Sequence, residues 1–334
     1  MTSSVEYVRA NLDQLAEEIT RQHHLADRFG PLGRQRCLED ARFHLRYLAA
    51  ALEANSAAMF LDYIAWAKVM LAKRNVGEAD LVENLRVMRR VLSEHDGASG
   101  VLGLAIEDVP SMPADVASFL DPRAPHWTLA TDYLAALLRG NRRDAMEMVA
   151  ATLDGGASLR DVYRHIFEPV QHEIGRLWQL NQVSVAQEHF CTAATQFIMT
   201  QLYARVFAGE RKEKRAVAMC VGGELHEIGL RIVTDLLELD GWETWYLGAS
   251  MPPRDAVQLC VERKADALLV SATLPPHIAA VSEVIRLFRD RRELDGARVL
   301  VGGRAFRTAP DLWRTIGADG YAANADDAIA LLRD

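Results

Sequence analysis

Cysteine is scarce in this sequence, and its scarcity argues against two kinds of structure. The 334 residues include four cysteines, Cys37, Cys191, Cys220 and Cys260, which lie far apart and show no C-x-x-C spacing. A disulfide framework or a thiolate metal site is therefore not expected. Free cysteines fit a reducing compartment, so the expected location is the cytoplasm.

Long apolar runs and a basic surface are absent as well. No run of about 18 apolar residues occurs, which argues against a membrane span. The N-terminus has no basic region followed by an apolar run, so no secretory signal is predicted. The net charge is -8, and no basic stripe or helix-turn-helix pattern is present, which argues against a DNA-binding domain.

In the first two thirds of the chain, apolar residues recur every three to four positions, which is the spacing of helices. Half of all residues are hydrophobic, which is enough for two or three domains with their own cores. The pattern predicts helices at 5–24, 34–53, 57–73 and 78–92, and then at 128–138, 142–153, 159–180 and 185–207. Prolines between residues 109 and 125 mark a linker. Short connections between the last four helices predict an antiparallel bundle.

The last part of the chain changes character. Short β-rich runs at 216–221, 243–247, 267–271, 299–301 and 320–322 alternate with helical patterns. This alternation predicts a parallel sheet wrapped by helices, of Rossmann or flavodoxin type. The predicted fold is therefore α plus α/β, with a helical domain at 1–123, a four-helix-bundle cap at 124–210 and an α/β domain at 211–334.

The loop after the first predicted strand reads V-G-G-E-L-H-E-I-G and covers residues 221–229. Its glycines let the backbone approach a large ligand, but neither a dinucleotide fingerprint nor a P-loop is present. The imidazole of His226 is a good ligand for cobalt or iron, and Glu224 is placed to hold its other ring nitrogen. The alternative is a surface histidine in an ordinary loop.

Two further strand ends carry small or polar residues. Ser271-Ala-Thr273-Leu274 follows the third strand, and Gly302-Gly303 follows the fourth. Ligands of such folds bind beyond the carboxyl ends of the strands, so these residues are expected to face the same crevice. Each feature alone is weak, since a glycine pair after a strand is usually a turn.

Taken in order, E-x-H-x-x-G, S-x-x-L and G-G resemble the cobalamin-binding domain of methionine synthase, corrinoid proteins and cobalamin mutases. That family usually has Asp where this chain has Glu224. The resemblance implies that His226 ligates the cobalt of cobalamin from below and that Glu224 hydrogen-bonds to this histidine. The residues that it places around the cofactor are Glu224, Leu225, His226, Glu227, Ile228, Gly229, Ser271, Thr273, Leu274, Gly302 and Gly303.

A second motif lies in the predicted bundle. Ser184 and Gln187 form a capping box that starts a new helix, so Trp178 ends one helix while Glu188 and His189 begin the next. The spacing W-x9-E-H resembles the cap of CarH-like light-sensing cobalamin proteins, where these residues surround an adenosyl group. The alternative is a tryptophan that anchors a helix pair beside a polar first turn.

Two features depart from this resemblance. The light-sensing repressors begin with a MerR-like DNA-binding domain, and nothing similar is present here. Some of them have a cobalt-ligating histidine directly after the tryptophan, where this chain has Gln179. The resemblance therefore leaves the upper ligand of the cobalt open.

The first helical segment combines aromatic, histidine and arginine side chains at helical spacing. Such a set can hold a flat conjugated ligand with propionates, and the layout of the whole chain resembles the photocobilins, which bind biliverdin as well as cobalamin. The bilin contacts inferred here are His44, Tyr47, Tyr63, Trp66, Arg42 and Arg46. The alternatives are an ordinary helical core, or a globin-like haem domain with His44 or His95 as the ligand.

The sequence thus predicts a light sensor rather than an enzyme. In this hypothesis light breaks the Co–C bond of adenosylcobalamin, biliverdin extends absorption to red light, and the signal passes through a conformational change, a homo-oligomer or a protein partner. The main alternative is a corrinoid protein that carries methyl groups between methyltransferases. A radical mutase fits poorly because a substrate barrel of about 250 residues is missing, and a cobalamin store or chaperone remains open.

Overall fold

The computed structural model describes residues 4–23, 30–207 and 211–333. The predicted helix end at residue 24 and the predicted domain boundary at residue 210 lie outside this range. The N-terminal part consists of helices α1 (Ser4–Ala10), α2 (Leu12–Gln22), α3 (Gly30–Glu53), α4 (Ala57–Ala72), α5 (Glu78–Val91) and α6 (Asp96–Asp108). Within these described ranges, no helix is long and apolar enough to span a membrane.

Two details of the N-terminal part differ from the prediction. The first predicted helix is divided at Asn11, whose Nδ2 donates a hydrogen bond to Tyr7 O and so competes with the helical backbone. The helix predicted from residue 34 begins at Gly30 instead. Glycine at Gly103 allows α6 to approach α5, because a Cβ atom there would stand 3.3 Å from Arg89 Cζ.

The middle part contains the predicted bundle. Its elements are α7 (Trp127–Leu138), α8 (Arg142–Asp154), α9 (Leu159–Val162), a π-helical turn (Tyr163–Phe167), α10 (Glu168–Gln179), α11 (Val185–Gln201) and α12 (Tyr203–Val206). Ser184 Oγ accepts from Gln187 N at 3.2 Å, and Gln187 Oε1 accepts from Ser184 N at 3.1 Å. The capping box predicted from the sequence is therefore confirmed.

The C-terminal part is a five-stranded parallel sheet with helices on both faces. In chain order its elements are β1 (Arg215–Cys220), α13 (Ile228–Leu239), β2 (Glu243–Tyr246), α14 (Pro253–Arg263), β3 (Ala267–Ser271), α15 (Ile278–Arg289), β4 (Arg298–Gly302), α16 (Leu312–Thr315), β5 (Gly320–Ala322) and α17 (Ala325–Arg333). The strands are ordered β2-β1-β3-β4-β5. The predicted Rossmann-like architecture is confirmed.

The two faces of the sheet belong to two different hydrophobic cores. Val217 and Met219 of β1 join the core that contains α14, α15 and the N-terminal helices. Ala218 and Cys220, on the opposite face, join the core that contains α13, α17 and the helical bundle. The sheet therefore lies between the two helical parts, and the carboxyl ends of its strands are reached from both.

Candidate functional site

The loops after β1 and β3 meet where the strand order of the sheet reverses. β1 pairs with β2 on one side and with β3 on the other, so the chain crosses the sheet between these strands. In parallel sheets a crevice opens at this point, between the two carboxyl-terminal loops. The loop after β1 carries Glu224 and His226, and the loop after β3 carries Thr273 and Leu274. The structure thus brings these predicted residues together.

Glu224 is the residue at which the contacts of both loops converge, and its side chain is fully buried. Oε1 accepts hydrogen bonds from His226 N at 2.9 Å and from His226 Nδ1 at 2.6 Å. Oε2 accepts from Thr273 N at 2.6 Å, from Leu274 N at 3.2 Å and from His277 Nδ1 at 3.0 Å. Burial acts to raise the pKa of Glu224, but the bonds from His226 and His277 hold it well below its ordinary value.

His226 is oriented by this carboxylate and yet remains open. Because Glu224 accepts from Nδ1, the ring proton is assigned to Nδ1, and Nε2 has no hydrogen-bond partner among the residues that the structure describes. The side chain is 59% exposed. The hydrogen bond to Glu224 raises the pKa of His226, and burial opposes the rise. An imidazole held through one nitrogen, with the other free, is the arrangement that proteins use for metal ligands.

Sequence reasoning missed His277, the second histidine on the Glu224 carboxylate. It ends a short 3-10 turn, Pro275–His277, directly after the loop of β3, and its side chain is largely buried. Its ring packs against Gly223, where a Cβ atom would stand 3.4 Å from His277 Nε2. One signal in the sequence could have pointed to His277. It follows shortly after β3, and folds of this type place β3 next to β1.

The glycines of the strand ends differ in what they do. Gly303 has a φ of 98°, and a Cβ atom there would stand 2.3 Å from Ala272 O, so the loops of β3 and β4 require glycine. Gly302 pairs in register with Ser271. Gly229 has no neighbouring atom within 4 Å of its Cβ position, so the space beside it is open. The predicted contact of these residues with a nucleotide tail stays a prediction.

The remaining predicted residues of the β1 loop divide into exposed and anchored ones. Leu225 is 72% exposed, whereas Ile228 packs against the core of the bundle. Glu227 Oε1 accepts from Gln196 Nε2 of α11 at 2.6 Å, and Glu227 Oε2 accepts from the hydroxyl of Tyr246 at 2.9 Å. The loop is thus tied to the bundle on one side and presents Leu225 and His226 on the other.

Trp178, at the end of α10, packs against the N-terminal part. Its ring stacks on that of Trp66, with 6.1 Å between ring centroids, and Arg74 Cζ lies 5.3 Å from the Trp178 centroid. Gln179, which occupies the position where some light sensors have a histidine, is buried, and its Nε2 donates to Trp66 O at 3.0 Å. Both side chains therefore serve the contact between α10 and α4.

Glu188 and His189 form a separate pair at the start of α11. Glu188 Oε2 lies 2.6 Å from His189 Nδ1, and Glu188 Oε1 accepts from Thr192 Oγ1 at 3.1 Å. The charge of Glu188 contributes, after that of Glu224, to the raised pKa of His226. The contact of α11 with the β1 loop is made further along the helix, by Gln196 and Glu227. The predicted grouping of this pair with Trp178 stays a prediction.

Four of the six residues inferred to contact a bilin pack against one another. His44 Nδ1 lies 2.8 Å from the Tyr63 hydroxyl, and the rings of Tyr47 and Tyr63 stack at 3.7 Å. Tyr63 in turn stacks on Trp66 at 6.3 Å. Burial lowers the pKa of His44 to about 4. This arrangement is that of a helical core, which was one of the alternatives.

The two arginines of this group lie outside the aromatic stack. Arg42 pairs with Asp13 at 2.8 Å, and Arg46 Cζ lies 5.9 Å from the ring centroid of Phe43. Arg46 and Tyr47 line a cavity of about 360 Å³ together with His277. The predicted bilin contacts remain predictions.

Comparison with known proteins identifies the bundle and the α/β domain. Two family models match the chain, and both are described as a B12 binding domain, one over residues 129–203 and the other over residues 214–330. Residues before 129 lie outside both matches. The cofactor indicated by these domains is a corrinoid.

Curated relatives are corrinoid proteins. The chain is 28% identical to dimethylamine corrinoid protein 3 of Methanosarcina acetivorans, over 49% of this chain and 76% of that protein. It is 30% identical to dimethylamine corrinoid protein 1 of Methanosarcina mazei, over 51% of this chain and 84% of that protein. The solved monomethylamine corrinoid protein of Methanosarcina barkeri shares the fold, with a TM-score of 0.55, 19% identity and coverage of 63% of this chain and 100% of that one.

These relatives correct the predicted function. The curated relatives are named as dimethylamine corrinoid proteins, so the prediction of a light sensor is wrong and its alternative, a corrinoid carrier, is favoured. The W-x9-E-H spacing fixes the positions of these residues along the chain and does not by itself distinguish a light sensor from a carrier. Neither an adenosyl group nor biliverdin is supported by these comparisons. With 30% identity over most of a curated relative and a B12 binding domain at 214–330, the chain belongs to the family of corrinoid proteins.

Proposed function

We propose that this chain is a corrinoid carrier, which binds cobalamin between its helical bundle and its α/β domain and carries a methyl group between partner methyltransferases. One observation carries the proposal. At the switch point of the sheet, the buried Glu224 carboxylate holds His226 by Nδ1 and leaves Nε2 open. This arrangement occurs in a chain whose relatives are corrinoid proteins.

The donor set at this loop fits a corrinoid. A corrinoid would bring most of the ligands of its cobalt in its own ring, so the protein would need to add one imidazole. His226 supplies that imidazole, and the exposed Leu225 beside it offers an apolar surface to the macrocycle. Glu224 keeps the proton on Nδ1, and the amides of Thr273 and Leu274 keep Glu224 in place.

The strand ends and the bundle complete the proposed site. Gly229 has open space beside it, and it frames the nucleotide tail together with Ser271, Gly302 and Gly303. Glu188 and His189 begin α11, the helix whose Gln196 bonds to Glu227 of the β1 loop, and the proposal places this pair on the bundle side of the site. When bound, the corrinoid supplies a cobalt centre that accepts a methyl group and gives it up. A methyl group on the upper side is sufficient, and neither an adenosyl group nor biliverdin is part of the proposal.

Electron paramagnetic resonance tests the role of His226. The protein is grown with ¹⁵N-histidine, loaded with aquocobalamin, freed of unbound cofactor and reduced to the cobalt(II) state. Ligation by a protein histidine gives the doublet splitting of ¹⁵N, whereas the benzimidazole of the cofactor gives the triplet of ¹⁴N. We expect the doublet in the wild-type chain and in His189→Ala, and its loss in His226→Ala. A doublet that survives in His226→Ala would remove His226 from the cobalt.

A second measurement tests methyl transfer itself. The cofactor-loaded protein is reduced further and mixed with methyl iodide, and the absorption spectrum is followed. A carrier is expected to take up the methyl group and to yield the spectrum of protein-bound methylcobalamin. Release of the cofactor on reduction, or no reaction with methyl iodide, would favour a store or a chaperone instead.

A further inference from the structure

The N-terminal helices contact both layers of the proposed corrinoid site. The two family models cover the bundle and the α/β domain, and residues before 129 lie outside both matches. In this chain, however, α4 touches α10 of the bundle and also the loop after β4. One helical part therefore joins the two layers between which the corrinoid is proposed to bind.

The contact with the bundle is made at the end of α10. The guanidinium of Arg74 donates to Gln179 O at 2.9 Å and to Trp178 O at 3.1 Å. A cation at these carbonyls interacts favourably with the negative end of the helix dipole. The Trp66–Trp178 stack and the bond from Gln179 Nε2 to Trp66 O lie beside it. The orientation of Trp178 is thus set largely by the N-terminal part.

The contact with the α/β domain is made directly after Gly302 and Gly303. Asp62 of α4 pairs with Arg304 at 2.8 Å and with Arg307 at 3.3 Å. Exposed ion pairs of this kind are individually weak. They add to the hydrophobic core that the N-terminal helices share with this face of the sheet, and they hold the loop after β4 against α4.

Tyr47 shows how near the N-terminal part comes to the β1 loop. Burial raises the pKa of Tyr47 to about 12, and two charges of the α/β domain, Arg304 and Glu224, act on its hydroxyl in opposite directions. Tyr47 also lines the cavity of about 360 Å³ that Leu274 and His277 close from the other side. The N-terminal part therefore forms a wall beside the crevice.

We propose that the N-terminal helices act as a latch on the corrinoid site, closed by Arg74 on the bundle and by Asp62 on the loop after β4. While both contacts are made, the bundle is held over the crevice and Trp178 is fixed. When they open, the bundle can move and the upper side of the cofactor becomes accessible to a partner protein. This inference rests on the proposed function, because it assumes a corrinoid between the two layers.

The double variant Asp62→Arg/Arg74→Ala tests the latch, since it places like charges beside Arg304 and removes the contact with α10. The matched control is Asp13→Arg, which breaks the ion pair with Arg42 inside the N-terminal part. The rate at which cyanide replaces water on protein-bound aquocobalamin reports access to the cobalt. Hydrogen exchange of the corrinoid-free protein reports whether the amides at 178–182 and 302–308 are released.

We expect the double variant to bind cyanide at least about tenfold faster, because weakening the closed state raises the open population in proportion. Hydrogen exchange at both segments should rise with it, and Asp13→Arg should leave both readouts unchanged. Each single variant, Asp62→Arg or Arg74→Ala, should show a smaller change of the same sign and serves if the double variant is unstable.

Two results would overturn the latch. Faster hydrogen exchange with an unchanged cyanide rate would mean that the contacts do not control access. Unchanged hydrogen exchange would mean that they do not hold the layers. Both results leave the ¹⁵N splitting from His226 intact and so spare the proposed function, whereas failure of the wild-type chain to bind aquocobalamin would overturn both ideas.

Discussion

His226 Nδ1 lies 2.6 Å from Glu224 Oε1, and the two side chains differ sharply in exposure. Glu224 is fully buried, whereas 59% of the His226 side chain is exposed. Backbone amides of the loop after β3 hold the Glu224 carboxylate in place. The carboxylate therefore orients the imidazole of His226 while the imidazole stays exposed to solvent. One residue therefore controls both the closure of two loops and the direction of a free ring nitrogen.

Glu224→Gln should weaken both functions of this residue. The side chain of glutamine has one acceptor oxygen and one NH2 donor in place of two acceptor oxygens. Either His226 or the amides of Thr273 and Leu274 would therefore lose their acceptor and meet a donor instead. We expect the affinity for aquocobalamin to fall by about 10- to 100-fold and the free energy of unfolding by about 1–3 kcal/mol. Titration of the cofactor and urea unfolding measure the two effects. The exposed Glu213→Gln serves as the control, and equal behaviour of the two variants would contradict the assignment.

Two glycine variants should separate folding from cofactor binding. Gly303→Ala places a Cβ atom against Ala272 O and forces an unfavourable φ, so we expect a loss of stability of about 2 kcal/mol or more. Gly229→Ala lies in the first turn of α13 with open space around it and should leave stability unchanged or slightly raised. It should nevertheless lower corrinoid affinity if the tail passes there. Thermal unfolding and cofactor titration of both variants test this pair, and unchanged affinity in Gly229→Ala would remove that residue from the site.

Gln179→His should not create an upper ligand for the cobalt. The amide of Gln179 is buried and bound to Trp66 O, so an imidazole there loses that bond and points into the contact between α10 and α4. We expect lower stability, by about 1–3 kcal/mol, and an absorption spectrum of bound aquocobalamin that matches the wild-type chain. A spectrum of cobalt with two histidine ligands would show that residue 179 reaches the cofactor after all.

The buried His44 should make stability depend on pH. Burial lowers its pKa from 6.5 to about 4, so as pH falls below 6.5 the unfolded chain takes up a proton that the folded chain refuses. Stability from this residue is complete above pH 6.5 and is lost towards pH 4, by up to about 3 kcal/mol. His44→Gln should remove this slope while keeping a partner for Tyr63.

Comparison with the variant is needed because other groups act in the opposite direction. Burial raises the pKa of Asp40 and of Asp235 to about 6, so their contribution to stability falls as pH rises through this range. The free energy of unfolding of the wild type and of His44→Gln is therefore measured with urea from pH 7 to pH 4.5. The contributions of Asp40 and Asp235 are the same in both chains and cancel in the difference. A difference that does not vary with pH would contradict the lowered pKa of His44.

Much of the α/β domain could be predicted because its signals are local. Each strand is a short apolar run, and the ends of β3 and β5 agree with prediction. The position of Glu224 beside His226 is also local, since a single residue, Leu225, separates them. His277 was missed because its role comes from the pairing of β1 with β3, and no spacing along the chain records that pairing.

The bundle shows where local reasoning fails. The capping box correctly places Trp178 at a helix end and Glu188 in the next first turn. The spacing does not say what Trp178 faces, and in the structure it faces Trp66, about a hundred residues earlier. A tryptophan that packs against another domain and a tryptophan that packs against an adenosyl group have the same sequence pattern, so the light sensor could not be distinguished from the carrier.

The bond between Glu224 and Thr273 spans 49 residues and has a consequence for how the chain matures. Closing a loop of that length costs entropy before any contact compensates it, so this part of the sheet is expected to assemble late. A nascent chain that has β1 but not β3 holds the histidine without the amides that fix its carboxylate. Such a chain should bind cobalt weakly. Tight binding of the corrinoid would then begin only after β3 has paired with β1.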